Sequence, residues 1–338
     1  MPVGEELKAL LERVRPRRAL ILCHHNADPD AVCSAIALVE LLHALRPGLE
    51  VRCYAAQGVS KVSKRVLEHL GFNFSEEADP AWADVLFMVD TNNTEQLEEL
   101  KEAVEARAAE VPLVVIDHHA RHPSTERLAA FSIVDENASS TCEIVARLYR
   151  ELGVEPSLRA AKALFLGIAY DTRHLVFASA DTFLAIAELV KAGARPRELF
   201  PLLSAEMDYS ERVARLKACA RTRVYRFGDW LVATSYVSAF QASVARALLS
   251  MGAHLAVVAG EREGRLRVSM RATSDFSART GVHLGRDLAR PLGEHIKGMG
   301  GGHALSAGAN GEGGVEDALA FCLRLLEKLL GVKGKELK

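Results

Sequence analysis

The stretch Arg18-Ala19-Leu20-Ile21-Leu22-Cys23, followed by His24-His25-Asn26-Ala27-Asp28-Pro29-Asp30, decides how the rest of the chain is read. A short apolar run reads as a buried strand, and the polar heptapeptide behind it reads as the loop at its carboxyl end. The arrangement recurs. Residues 85–89 are apolar and lead to Asp90, residues 114–116 lead to Asp117-His118-His119, and residues 164–168 lead to Asp171. In open α/β sheets that edge carries the ligand. All four polar groups are therefore expected at strand-end positions, where buried segments reach solvent.

Working outward, strand-like runs at 18–23, 51–55, 85–89 and 113–116 alternate with helical patterns at 31–45, 62–70 and 95–108. This alternation predicts βαβ units and a mostly parallel sheet. Residues 139–193 turn helical, with Ser139-Ser140-Thr141 as a start and Gly153 and Gly193 as stops. Gly193-Ala194-Arg195-Pro196 breaks that pattern, and residues 206–220 read as one amphipathic helix leading into a second region. There, residues 223–227 and 230–236 flank Gly228-Asp229 as a hairpin, followed by a helix at 242–249 and strands at 254–259 and 265–271. A mixed sheet with helices on one face is expected. A glycine run, Gly298 to Gly302, precedes His303, and a last helix spans 315–330. The expected division is 1–194, a linker and connecting helix at 195–221, a smaller α/β domain at 222–332, and a frayed tail at 333–338.

A length of 338 residues suits two domains. The net charge of -2 and a pI near 6.6 argue against gripping long nucleic acid through a broad basic face, and leave room for a compact anionic substrate. Six cysteines without a CxxC pair read as small buried hydrophobes in a reducing cytoplasm. No run of ~18 apolar residues is present, so neither a membrane span nor a membrane partner is expected. Gly298-x-Gly300 lacks the remaining features of a dinucleotide fingerprint. Aromatic residues are too few for stacking many successive bases.

The Asp and His groups together point to metal. A mixed oxygen and nitrogen set suits Mn²⁺, with Mg²⁺ as the alternative. Alternate loop residues direct Asp28 and Asp30 toward neighbouring ions, His24 completes the first, and Asp90 is placed to bridge both. Two ions ~3.5–4 Å apart activate a shared water and stabilise the entering and leaving oxygens of a phosphoryl displacement. His25 should point away from His24 and either support the ligands from behind or pack, rather than bind metal. His43, His69 and His254 read as ordinary histidines, while His174 and His283 lie near functional segments.

These motifs resemble the DHH phosphoesterases, whose triplet is Asp117-His118-His119 here, preceded by His24-x-Asn26-x-Asp28-x-Asp30-Ala31. The second half is similar to the associated DHHA1 domain through Ser269-Met270-Arg271, Gly300-Gly301-Gly302-His303 and Ala307-Gly308. The resemblance implies a parallel-sheet DHH domain joined by a linker helix to a mixed-sheet DHHA1 domain, with the active site in the interdomain cleft. It implies that His24, Asp28 and Asp90 hold one ion, and that Asp30, Asp90, His118 and Asp171 hold the other. His119 would face the substrate phosphate, making Asp90, His118 and His119 the catalytic group. Ser269, Arg271, His303 and the amides of Gly300, Gly301 and Gly302 would cradle another phosphate. Two positions depart from the pattern: the first loop lacks the usual glycines, and Asp-Thr-Gly becomes Asp171-Thr172-Arg173. Arg173 either binds substrate phosphate or points outward.

The two-domain layout is most similar to nanoRNase and pAp-phosphatase proteins of the NrnA type. The expected activity is two-metal hydrolysis of short single-stranded oligonucleotides to mononucleotides, with pAp and other nucleotide phosphates as further substrates, in the cytoplasm and in a chain able to form a homodimer. The rivals are a RecJ-type exonuclease on longer strands, a cyclic-dinucleotide phosphodiesterase and a non-catalytic replication scaffold. An inorganic pyrophosphatase is disfavoured, because its second domain lacks the GGGH clamp.

Overall fold

Buried strands with helices on either side build the part of the chain that carries the Asp and His groups. In the computed structural model, which describes residues 2–204 and 207–337, the chain divides into two compact units, Met1–Ala205 and Glu206–Lys338. The first runs α1 (Val3–Val14), β1 (Arg18–Cys23), α2 (Pro29–Leu45), β2 (Glu50–Ala55), α3 (Lys61–Leu70), β3 (Val85–Val89), α4 (Lys101–Ala108), β4 (Leu113–Asp117), α5 (Pro123–Glu126), β5 (Phe131–Val134), α6 (Thr141–Glu151), α7 (Leu158–Asp171), α8 (Ala180–Lys191) and α9 (Pro196–Leu203). Its sheet has the order β2-β1-β3-β4-β5 with every pairing parallel. Ile21, Phe87, Val114 and Ile116 join the core built with α2, α6 and α7, whereas Leu20, Leu22, Leu86, Met88 and Val115 pack with Leu97 and Val104 on the other face. Burial on both faces is why these strands read as unbroken apolar runs.

The strand order reverses between β1 and β3, and such a switch opens a crevice at the carboxyl ends of the strands. The 24–30 loop leaves β1, Asp90 follows β3 and Asp117 ends β4, so three of the four polar groups stand at that edge. Asp171 does not follow a strand. It is the last residue of α7, a helix whose buried face is as apolar as a strand, which explains the misreading. The expected helix at 95–108 is also broken: a 3₁₀ segment at Thr94–Leu100 carries Glu98 at φ 51, and α4 begins only afterwards. The Gln96 carbonyl in this segment accepts from His25 N at 3.0 Å, so the irregular turn supports the first loop.

The expected linker is divided between the units. Helix α9 belongs to the first, burying Leu199 and Leu203 in its core, so the boundary falls after α9 rather than at residue 194. The second unit contains α10 (Tyr209–Arg221), β6 (Arg223–Phe227), β7 (Trp230–Tyr236), α11 (Gln241–Ser250), β8 (Leu255–Arg262), β9 (Arg265–Ala272), α12 (Ser274–Thr280), a π-helical turn (Leu284–Ala289), α13 (Arg290–His295), β10 (Met299–Gly302), β11 (Ser306–Gly311), α14 (Val315–Leu330) and β12 (Lys335–Leu337). The expected start of α10 at Glu206 lies outside the described residues.

The sheet order is β10-β11-β9-β8-β7-β6-β12, antiparallel except for β7–β8. Helices cover both faces, not one: Leu255, Val257 and Ala259 of β8 face the core that includes α14, and Ala256 and Val258 face α10 and α11. The tail also differs from expectation. Residues Lys335–Leu337 pair antiparallel with Arg226, Tyr225 and Val224, covering an edge of β6 that would otherwise leave its backbone groups unpaired. Five cysteines are buried, whereas Cys219 is exposed on α10.

Gly167 of α7 sets how closely α7 approaches α2 and α6. A Cβ there would collide with Cys142 Sγ and come within 2.8 Å of Asp30 Oδ1. Gly167→Ala is therefore expected to destabilise the first unit by about 1–3 kcal/mol, the usual cost of overpacking a full core. Urea unfolding followed by circular dichroism checks this; an unchanged midpoint would contradict the packing.

Candidate metal centre

The first loop places His24, Asp28 and Asp30 without glycine. Asn26 takes the left-handed conformation at φ 50, which asparagine tolerates better than most residues. Asp28 is the N-cap of α2, accepting from Asp30 N at 3.0 Å and Ala31 N at 3.3 Å, and Pro29 fills the first helical position, where no amide hydrogen is needed. Asp30 then lies in the first turn of this buried helix. Its Oδ2 accepts from Thr141 N at 2.6 Å and its Oδ1 from Cys142 N at 3.0 Å, so the carboxylate sits on the N-terminus of α6. Free amides and the helix dipole both favour an anion there.

Asp90, 3% exposed, adopts φ 60, an uncommon conformation for a residue with a side chain. Its backbone N donates to Ile116 O at 3.0 Å, and its Oδ1 accepts from Thr141 Oγ1 at 2.8 Å. Thr141 thus holds Asp30 through its amide and Asp90 through its hydroxyl. Asp117 is fully buried and accepts from His118 N at 2.9 Å and from His119 Nδ1 at 2.8 Å, with Asn92 Nδ2 on its other oxygen. Asp117 is thus a scaffold for the two histidines.

Three groups of side chains bring their donor atoms within 4.8 Å of one another: His24, Asp28 and Asp90; Asp30, His118 and Asp171; and Asp90, His118 and His119. His24 Nε2 stands 3.6 Å from Asp90 Oδ2, and His118 Nε2 stands 3.2 Å from Asp171 Oδ2, 3.6 Å from Asp90 Oδ1 and 4.0 Å from Asp30 Oδ2. His118 Nε2 is buried yet aligned with none of these oxygens for a hydrogen bond. Burial, reinforced by neighbouring carboxylates, raises Asp28 and pushes Asp30 and Asp90 well above the usual carboxylate range. An orphaned imidazole nitrogen facing crowded buried carboxylates is a donor set that fits divalent cations.

The two histidines differ. His118 is 15% exposed and His119 60%, and the Asp117 bond raises the His119 pKa. Because a carboxylate only accepts, His119 Nδ1 carries the proton and its Nε2 is left for another partner. Arg173 is exposed in the turn after α7, at φ 48, with its guanidinium 5.4 Å from the centre of the Phe177 ring. His25 is exposed, 3.6 Å from Glu98; His174 stacks on Phe200, and His283 Nδ1 accepts from Arg286 N as a helix cap. Thr141, Asn92 and Gly167 were not singled out by the sequence as parts of this site, although Thr141 had marked a helix start.

In the second unit, Ser269 and Arg271 lie on one face of β9, where Arg271 Nη1 donates to Met270 O at 2.8 Å. Burial and then the charge of Arg246 on α11 lower the Arg271 pKa. The glycines divide. A Cβ at Gly300 would collide with the Ala289 carbonyl, one at Gly302 would press on the β11 backbone, and one at Gly301 would meet nothing. Packing thus requires the first and third, and Gly301 alone faces open space. His303 is exposed.

The sequence matches the DHH family, N-terminal domain, over residues 18–168. An uncharacterized protein of Methanocaldococcus jannaschii is 38% identical over 307 residues, covering 89% of each chain. The chain belongs to the DHH family. Members of the family are phosphoesterases, and the matched region holds every residue of the three donor groups except Asp171. The chain is also 26% identical over 215 residues to the probable bifunctional oligoribonuclease and PAP phosphatase NrnA of Streptococcus mutans, covering 62% of this chain and 64% of that one. An exopolyphosphatase-related protein from Bacteroides fragilis shares the fold, with a TM-score of 0.60 at 18% identity over 97% of this chain and 96% of that one.

Burial opposes charge on His118, but Asp171, Asp30 and Asp117 outweigh it and push its pKa from 6.5 to about 9. A raised histidine pKa means that the charged ring stabilises the fold fully below pH 6.5, a contribution lost as pH rises through about 9. Histidine NMR in EDTA should find one ring titrating near pH 9 that disappears in His118→Gln. A highest midpoint near 6.5 would contradict this electrostatic picture.

Proposed function

We propose that this DHH phosphoesterase holds two divalent cations, Mn²⁺ by preference, and hydrolyses short single-stranded oligonucleotides to mononucleotides, with pAp as a further substrate. The observation that carries the reading is Asp90, whose two oxygens face separate groups, Oδ2 toward His24 and Oδ1 toward His118. His24, Asp28 and Asp90 would hold one ion, and Asp30, Asp90, His118 and Asp171 the other. Bound ions would supply an activated water and neutralise charge on the phosphoryl oxygens. The similarity to NrnA-type proteins supports the oligonucleotide substrate.

The chain's own residues do the rest. Thr141 keeps the Asp30 and Asp90 carboxylates in place, so the donor groups need no rearrangement when substrate arrives. His119, oriented by Asp117, offers Nε2 to a non-bridging phosphate oxygen and stabilises charge that grows in the transition state. Water attacks phosphorus, the bond to the ribose oxygen breaks, and a proton returns to that oxygen. Ser269, Arg271, His303 and the Gly301 amide would bind a second phosphate, joined by Arg246. No helix among the described residues is long and apolar enough to cross a membrane.

Replacing Asp117, His118 and His119 by alanine should lower Mn²⁺-dependent hydrolysis of a dinucleotide at least ~10²-fold; undiminished turnover would refute the assignment. Initial rates should favour the dinucleotide over a 5′-phosphorylated ~20-mer in kcat/KM. Equal or better use of the 20-mer would instead support a RecJ-type exonuclease.

A further inference from the structure

Strand β9 reads Arg265-Leu266-Arg267-Val268-Ser269-Met270-Arg271. Leu266, Val268 and Met270 are buried in the core shared with α14, so the period of two puts Arg265, Arg267, Ser269 and Arg271 on the opposite face. At ~3.4 Å per residue, Arg265 and Arg267 stand ~7 Å apart and the row spans ~20 Å.

Antiparallel pairing extends this face across β11 and β10, because directly opposed residues point the same way. Gly308 lies opposite Ser269 and Gly301 opposite Gly308; Asn310 lies opposite Arg267 and Met299 opposite Asn310. The Ser269–Gly308–Gly301 row is nearly bare backbone, open above Gly301. Arg271 borders it on one side and Arg267 on the other. Toward the β8–β9 hairpin tip the surface continues into a groove of about 900 Å³, lined by Arg265, Arg267, Lys297, Met299 and Phe240. Glu263 and Glu312 also border the groove, and Glu263 is paired with Arg262 at 3.4 Å. Among the described residues, Arg265, Arg267 and the Lys297 ammonium have no ion-pair partner.

Two guanidinium groups without ion pairs, Arg265 and Arg267, in line with Arg271 at strand spacing, suit an anion whose charges repeat along a chain. A lone phosphate would engage one end of the row and leave the rest unused. The extended sugar-phosphate backbone of a single strand repeats its charge at a comparable interval, and Met299, 83% exposed, with Phe240 offers soft apolar surface for a base. We propose that the β9 face from Arg271 to Arg265 is a track for a single-stranded oligonucleotide, holding the nucleotides beyond the phosphate at Arg271. This rests on the reading of Ser269 and Arg271 as phosphate ligands given above.

The test uses the full chain, a fluorescein-labelled single-stranded pentanucleotide and EDTA, with anisotropy read between 50 and 200 mM salt. Arg265→Ala/Arg267→Ala should weaken binding about tenfold at the lowest salt and flatten the slope of log affinity against log salt by ~1.4, or ~0.7 per lost phosphate contact. Arg265→Lys/Arg267→Lys should restore most of that slope. With Mn²⁺, the alanine variant should lose kcat/KM on the pentanucleotide through KM and keep its rate on a dinucleotide. Unchanged binding and slope, no binding by the unaltered chain, or an equal loss on both substrates would overturn the track. Arginine-dependent binding without hydrolysis of any oligonucleotide would leave the track standing and sink the proposed activity.

Discussion

Asp30 is buried with both carboxylate oxygens bonded to the first amides of α6, and the hydroxyl of the same Thr141 holds Asp90. The rest of the candidate metal centre depends on this arrangement, which assembles α2, α6 and the end of β3 around two carboxylates far from each other in sequence. The geometry crowds like charges in a buried place. Asp28, Asp30 and Asp90 all have raised pKa values, and His118 Nε2 is left without a hydrogen bond. Buried like charges of this kind persist where a ligand of opposite charge offsets their repulsion. The strained backbone of Asp90 belongs to the same compromise, since φ 60 accompanies a carboxylate that faces both donor groups.

Topology explains why the centre lies where it does. In a sheet ordered β2-β1-β3-β4-β5, neighbouring strands β1 and β3 are connected to opposite sides, and the crevice between their carboxyl ends is not filled by a crossover. The 24–30 loop and Asp90 take that position, with Asp117 one strand further on. The fourth contribution comes from a different kind of element, the C-terminal end of α7, brought close because Gly167 has no side chain to keep α7 from Cys142 and Asp30.

Much of this was legible in the chain, and the exceptions have physical causes. Strands β1, β3, β6 and β7 and helix α14 begin and end where their apolar patterns do, because turn residues bound each run. Asp171 was grouped with the strand ends although its segment already read as helical, because a helix buried on most sides is as apolar as a strand. Strand β11, Ser-Ala-Gly-Ala-Asn-Gly, carries no β-branched residue, and its pairing with β9 and β10 is a tertiary effect. The tail looked frayed because Lys335-Glu336-Leu337 has no core to join; it is held by the open edge of β6. Thr141 and Asn92 escaped notice for a similar reason, since each acts through a contact with a residue distant in sequence. In the glycine run, by contrast, the sequence suggested one role for three residues, and the structure assigns packing to Gly300 and Gly302 and open space to Gly301.

The central claim is that Asp90 is shared by two cations. Anomalous diffraction at the manganese edge from Mn²⁺-soaked crystals tests it most directly. The account predicts two peaks ~3.5–4 Å apart, one against His24 and Asp28, the other against Asp30, His118 and Asp171, with a carboxylate oxygen of Asp90 bound to each. A single peak, or two peaks of which one does not touch Asp90, would contradict it.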